Sequence, residues 1–185
     1  MIRIKLVSEF SELEEIKSLQ DKNLKRNLSD QEAEDQGFVT AEYSIEFLET
    51  LHQESPSVIA KDGGLVVGYA LVALKSIRNH HELLSDLFDN IDKIEYNNQS
   101  LKYSNYVVVG QLCVAKNYRG QGLVQQMYQH FKSSLSWKFD YCLTDIAKNN
   151  PRSLKAHLNT GFQVIDTLNY GGIKWDIVLW DWTRS

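Results

Sequence analysis

The sequence predicts an α/β fold in a single domain over residues 1–185, and three observations carry that expectation. Strand-like alternation and helical apolar stripes follow one another along the chain in the order β-α-α-β-β-(insert)-β-α-β-α-β-β. The length, 185 residues, suits one domain at roughly 100–200 residues apiece. Composition is ordinary, with 43% hydrophobic and 24% charged residues, which excludes disordered and collagen-like chains.

Ile2 to Val7 alternates apolar and polar residues and predicts a half-buried strand. Ser11 and Glu14 form an S-x-x-E capping box ahead of Leu13, Ile16 and Leu19, which recur at helical spacing. Asp21 to Gln36 is polar and reads as a loop or a frayed second helix. Tyr43, Phe47, Leu48 and Leu51 mark a further helix that ends before Pro56. Ser57 to Lys61 and Leu65 to Leu74 read as a hairpin turned at Asp62-Gly63-Gly64, with Gly68 marking a bulge or a close backbone approach.

Ser76 to Asn105 breaks the pattern. Leu83, Leu84, Leu87, Phe88 and Ile91 give one helical stripe, followed by an asparagine-rich stretch. The run Tyr106 to Ala115 is typical of a strand covered on both faces. A glycine-rich turn follows, then a helix striped by Leu123, Met127, Phe131 and Leu135. Tyr141 to Ala147 is another strand and Asn150 to Thr160 a short helix. Phe162 to Leu168 and Lys174 to Trp182 pair around Gly171-Gly172.

Charge and cysteine content exclude several classes. A net charge of −4 argues against nonspecific nucleic-acid binding. Cys113 and Cys142 stand far apart, which excludes a disulfide framework and a cysteine zinc site. The apolar run Leu65 to Leu74 is about half a membrane span, and no secretory signal opens the chain, so a cytoplasmic protein is expected. Adjacent His80 and His81 would point different ways on a helix, so no metal is expected. From Met1 to Asn105 there are 11 Lys and Arg against 19 Asp and Glu, a net of −8, whereas Tyr106 to Ser185 carries +4.

Two motifs carry chemistry. Arg119-Gly120-Gln121-Gly122-Leu123-Val124 lies between a buried strand and an amphipathic helix, where unpaired amides and the helix dipole favour an anion. It is neither a Walker loop nor the three-glycine dinucleotide fingerprint. Downstream, Asn150, Ser153, His157, Gly161 and Phe162 fit the spacing N-x-x-[SA]-x-x-x-[YH]-x-x-x-G-F. With both motifs at this separation, the chain resembles the GNAT superfamily of N-acetyltransferases. Gly37-Phe38-Val39-Thr40 and the strand ending Gly68-Tyr69-Ala70 fit as well, so the likeness covers most of the chain. One departure is Val124, where the family usually carries Gly or Ala and where a branched side chain crowds the phosphate position.

The resemblance implies a central mixed, mostly antiparallel sheet flanked by helices, with two strands splayed around acetyl-CoA. Main-chain groups of Leu112, Cys113 and Val114 would hold the pantetheine arm and polarise the thioester carbonyl. The pyrophosphate would rest on the amides from Gln121 to Val124, beside Arg119. Asn150 and Ser153 would face the same ligand, although Asn150 before Pro151 is also an ideal helix N-cap. His157 stands where family members carry a tyrosine thought to protonate the departing thiolate, and it is the candidate general acid. The usual strand glutamate is absent: Val107, Val109 and Gln111 occupy that region, leaving Glu42, Glu46, Asp145 or the insert as sources of a base. The charge split implies a small cationic amine as acceptor. The insert would roof the acceptor pocket or form a homodimer contact. The alternatives are a non-catalytic acyl-CoA-binding module and an unrelated phosphate binder using the glycine loop alone.

Overall fold

The computed structural model describes residues 1–183. The chain begins with strand β1 (Ile2–Leu6), followed by helices α1 (Phe10–Asn23), α2 (Asp30–Gln36) and α3 (Ile45–Glu54). Strands β2 (Val58–Asp62) and β3 (Leu65–Ala73) form the expected hairpin. The insert contains α4 (Glu82–Ile91) and a small hairpin of β4 (Glu95–Tyr96) and β5 (Gln99–Ser100). Then come β6 (Tyr106–Val114), α5 (Leu123–Leu135), β7 (Tyr141–Ala147), α6 (Pro151–Leu158), β8 (Gln163–Tyr170) and β9 (Ile173–Asp181).

Seven strands form one sheet in the order β1-β2-β3-β6-β7-β9-β8, antiparallel at every junction except β6–β7. Period-two alternation sorts β6 between two cores. Tyr106 and Val108 join the cluster under α1, α3 and α4, while Val107 and Val109 join the cluster under α5. This double coverage is why the strand reads as an unbroken β-branched run. Cys113 and Cys142 are both free and buried. Among the described residues no helix is long and apolar enough to cross a membrane, and no group of three or more His, Cys, Asp or Glu is placed to hold a metal.

Local chemistry corrects the sequence reading at three places. The first helix starts before Ser11: Glu9 is its N-cap, and Glu12 completes the capping box by accepting from the Ser8 and Glu9 amides. The polar stretch after α1 is ordered by a second box, in which the Ser29 hydroxyl accepts from the Glu32 amide at 3.2 Å. The asparagine-rich segment turns at Asn97 and Asn98, whose φ values of 52° and 62° suit a two-residue hairpin turn. Gly68 answers both expectations. Pairing slips opposite it between Ala60 and Lys61, and a Cβ there would lie 3.3 Å from the Cys113 carbonyl oxygen.

Burial of the insert's stripe needs no second chain. Leu84, Leu87, Phe88 and Ile91 are buried, and Phe88 stacks on Tyr106 at 6.1 Å between ring centroids.

Candidate active site

Strands β6 and β7 run parallel only from Tyr106↔Tyr141 to Val108↔Leu143 and then part. Beyond an irregularity at Gly110 and Gln111, β6 pairs with β3 from Leu112 to Val114, but it has no paired strand on the β7 side there. Two hollows open along this free edge. The inner one holds Gln111, Thr144, Asp145 and His157, and it encloses about 630 Å³ counting its open mouth. The outer one runs past Leu112, Cys113 and Val114 towards Arg119 and Val124. Residues 37–41 form a strap across the gap. The Asn150 side-chain amide donates to the Phe38 carbonyl at 3.0 Å, and Gln111 donates to the Ala41 carbonyl at 2.7 Å.

The glycine loop has the geometry its sequence requires. Gly120 and Gly122 have φ values of 76° and 74°, which L side chains rarely adopt. Added Cβ atoms would meet nothing closer than 3.9 Å, so backbone conformation and not packing demands glycine here. Gly122 caps α5 without a side-chain hydrogen bond, leaving the first-turn amides available to an anion. Gly120, Leu123 and Val124 line the hollow outside this turn.

Arg119 lines the same hollow and is also bonded within the chain. Its Nε donates to the Val114 carbonyl at 2.8 Å and its Nη2 to the Asn23 Oδ1 at 2.6 Å. The guanidinium therefore ties the loop to β6 and α1, and burial lowers its pKa. The Gln121 side chain donates to the Asn117 carbonyl at 3.0 Å. The cations missed by the motif reading are Arg152 and Lys155, exposed on α6 and lining the same hollow as the loop. Their charges inside the Asn150–His157 segment were the available signal.

Asn150, Ser153 and His157 line the inner hollow together. Asn150 is the N-cap of α6, its Oδ1 accepting from the Ser153 amide at 3.3 Å. His157, the expected general acid, is only 2% exposed. Its Nδ1 lies 2.8 Å from the Ser153 carbonyl, which can only accept, so Nδ1 carries the proton. Nε2 then accepts from the Tyr128 hydroxyl at 2.7 Å. Burial holds this imidazole at a pKa of about 4, so at neutral pH it has no acidic proton to give. Both ring nitrogens are thus engaged within the chain, and the general-acid expectation finds no support in this geometry.

The possible sources of a base separate cleanly. Glu42 is exposed and paired with Arg26 at 2.6 Å, and the exposed Glu46 lies outside the hollow. Gln111 is locked, accepting from Tyr69 at 2.7 Å and Gln20 at 3.1 Å. Asp145 faces the inner hollow from β7. Burial raises its pKa to about 6, opposed by a 2.8 Å hydrogen bond from the Tyr170 hydroxyl. Tyr170 is fixed in turn by stacking on Trp175, whose indole N–H donates to the Tyr170 carbonyl at 3.0 Å.

A seven-stranded sheet parted beside a glycine-rich helix turn is the architecture of an acyltransferase of the GNAT type. The acetyltransferase (GNAT) family model matches residues 14–162, and the chain belongs to that family. Among solved structures it is similar to a GNAT-family acetyltransferase from Streptococcus agalactiae (17% identity, TM-score 0.67, 97% of this chain and 95% of that one). It is also similar to the ribosomal-protein-S18-alanine N-acetyltransferase of Escherichia coli (12%, TM-score 0.65, 98% and 94%). A third is YncA of Salmonella typhimurium, solved with acetyl-CoA (13%, TM-score 0.62, 98% and 94%). At these identities the likeness speaks for the fold. Comparison with curated protein sequences gave no match.

Proposed function

We propose that the chain moves the acetyl group of acetyl-CoA onto the primary amine of a small molecule that arrives as a cation. When bound, acetyl-CoA supplies an activated thioester carbonyl. The free edge of β6 at Leu112–Val114 offers main-chain groups to hold the pantetheine arm and to polarise that carbonyl. The first-turn amides of α5, with Arg152 and Lys155 across the hollow, suit the pyrophosphate. Val124 lines that hollow.

Asp145 carries the reading, because it is a carboxylate facing the hollow and poised near pH 6. It draws the ammonium by charge and takes one proton from it, directly or through a water. The freed nitrogen bonds to the carbonyl carbon, and the C–S bond breaks with its electron pair left on sulfur. The second nitrogen proton leaves as the amide forms, and the thiolate takes up one proton. Tyr170 positions the carboxylate.

Thiol release from acetyl-CoA on addition of amines tests the reading. Asp145→Asn is expected to lower kcat by about 10²–10⁴, the usual reach of acid–base catalysis. An unchanged kcat would remove Asp145 from the chemistry.

A further inference from the structure

We infer that the acceptor is a small primary monoamine on an apolar body, and not a polyamine or an aminoglycoside. The inference rests on the amine-acceptor reading above and concerns what the rest of that molecule touches.

The inner hollow has one carboxylate, Asp145, among the described residues, and apolar side chains form one part of its remaining wall. Phe38, Leu83, Leu87 and Trp175 supply much of that wall. Trp175 has spent its indole N–H on the Tyr170 carbonyl, so it offers the hollow only apolar surface. The roof is continuous. A Cβ on Gly171, at the β8–β9 turn, would lie 2.9 Å from Leu83 Cδ2, so that turn and α4 are in contact.

Most polar side chains in the wall are already engaged with the chain, the Thr40 and Ser153 hydroxyls excepted. Thr144 donates to the Val109 carbonyl at 2.8 Å, and the Tyr43 hydroxyl donates to the Gly110 carbonyl at 3.0 Å. Gln111, Asn150 and His157 are committed as described. A second ammonium or a set of sugar hydroxyls would therefore lose more hydrogen bonds to water than Thr40, Ser153 and the open edge of β6 could return. The acidic N-terminal half supplies no compensating charge. Glu12 is held by Lys5 and Lys61, Glu32 by Lys116, and Glu42 by Arg26 and Lys17, and none of the three lines the hollow.

The test is thiol release by the full chain with acetyl-CoA and four acceptor sets: n-alkylamines from ethyl to hexyl, phenethylamine, spermidine with kanamycin, and a short peptide with a free N-terminus. We expect kcat/KM to rise about 3- to 4-fold per methylene until the hollow is full, the ratio for burying one CH₂. Phenethylamine should exceed spermidine at least tenfold. Leu83→Glu should narrow or reverse that ratio, and Leu83→Gln should lower it without adding charge. An unaltered CoA-induced melting shift in both variants establishes that they fold. A flat alkyl series, or preference for spermidine or kanamycin, overturns the inference and leaves the amine reading standing. Turnover of none of the amines, or of the peptide far above all of them, overturns the small-amine reading and this inference with it.

Discussion

His157 sits among the rings of Tyr128 and Phe162, and protonating it means breaking its bond from Tyr128 inside that cluster. Its folded pKa, about 4, lies below the usual 6.5, so between those values the unfolded chain binds a proton that the folded chain refuses. This contribution to stability is complete above about pH 6.5 and is lost progressively as pH falls towards 4. His157→Phe strands the Tyr128 hydroxyl and should cost about 1–3 kcal/mol. It should also flatten the dependence of Tm on pH between 7 and 5 while leaving kcat of the same order. A fall in kcat of about 10² with Tm unchanged would return the histidine to acid catalysis. Asp145 titrates where activity is read. kcat/KM should fall as pH drops through about 6, and Tyr170→Phe, by removing the bond that favours the carboxylate, should move that limb to higher pH. An unmoved limb would show that Tyr170 does not position the carboxylate. Sequence brought Asn150, Ser153 and His157 to one hollow through helical spacing alone. It could not say which of them had free hydrogen-bonding capacity, because the partners Tyr128 and Phe38 lie 29 and 112 residues away.

At the scale of elements, the turn into α5 is the most demanding piece of backbone near the site. Gly122→Ala forces a side chain to φ 74° and should cost about 1–3 kcal/mol while sparing part of the CoA-induced melting shift. Gly122→Asp adds a negative charge at the same turn and should abolish the shift. A full shift in Gly122→Asp would remove the loop from CoA binding. Helix α4 both roofs the inner hollow and closes the core. Its four buried side chains, Leu84, Leu87, Phe88 and Ile91, are worth roughly 1.5–3 kcal/mol each, which together rivals the whole stability of a typical domain. Replacing residues 76–105 by a short turn should therefore abolish the cooperative melt, not merely raise KM for the amine. A soluble, cooperatively melting product would show that α4 is dispensable to the core. The apolar stripe of α4 was legible at once because its period is local. That the stripe would pack beneath Tyr106 was not, since long-range packing partners leave no periodic trace.

Over the whole molecule, one buried carboxylate ties the N-terminal strand, the first helix and β2 together. Glu12 is 1% exposed and accepts from Lys5 at 2.6 Å and Lys61 at 3.1 Å. Burial alone would raise its pKa, but the hydrogen bonds from Lys5, the Ser8 amide and Lys61 outweigh it and hold the carboxyl at about 2. A depressed carboxyl pKa contributes stability that is present above the ordinary value of 4.5 and fades as pH falls towards 2. Glu12→Gln should cost about 2–3 kcal/mol at neutral pH and remove part of the acid sensitivity of Tm in that range. An unchanged acid limb would show that other carboxylates govern it. The alternation of strand and helix patterns revealed the β and α content, but no pattern in β6 or β7 announced where they would separate. That separation makes the sheet two plates stitched at one end: three residue pairs join β6 to β7, against seven between β7 and β9. Anything lying in the gap acts as the missing stitches, so bound CoA should couple plates that otherwise breathe apart. Amide hydrogen exchange at 106–108 and 141–143 should slow when CoA is added, although none of those residues lines either hollow. Exchange there that ignores CoA while the melting shift persists would mean the three pairs already lock the plates without help.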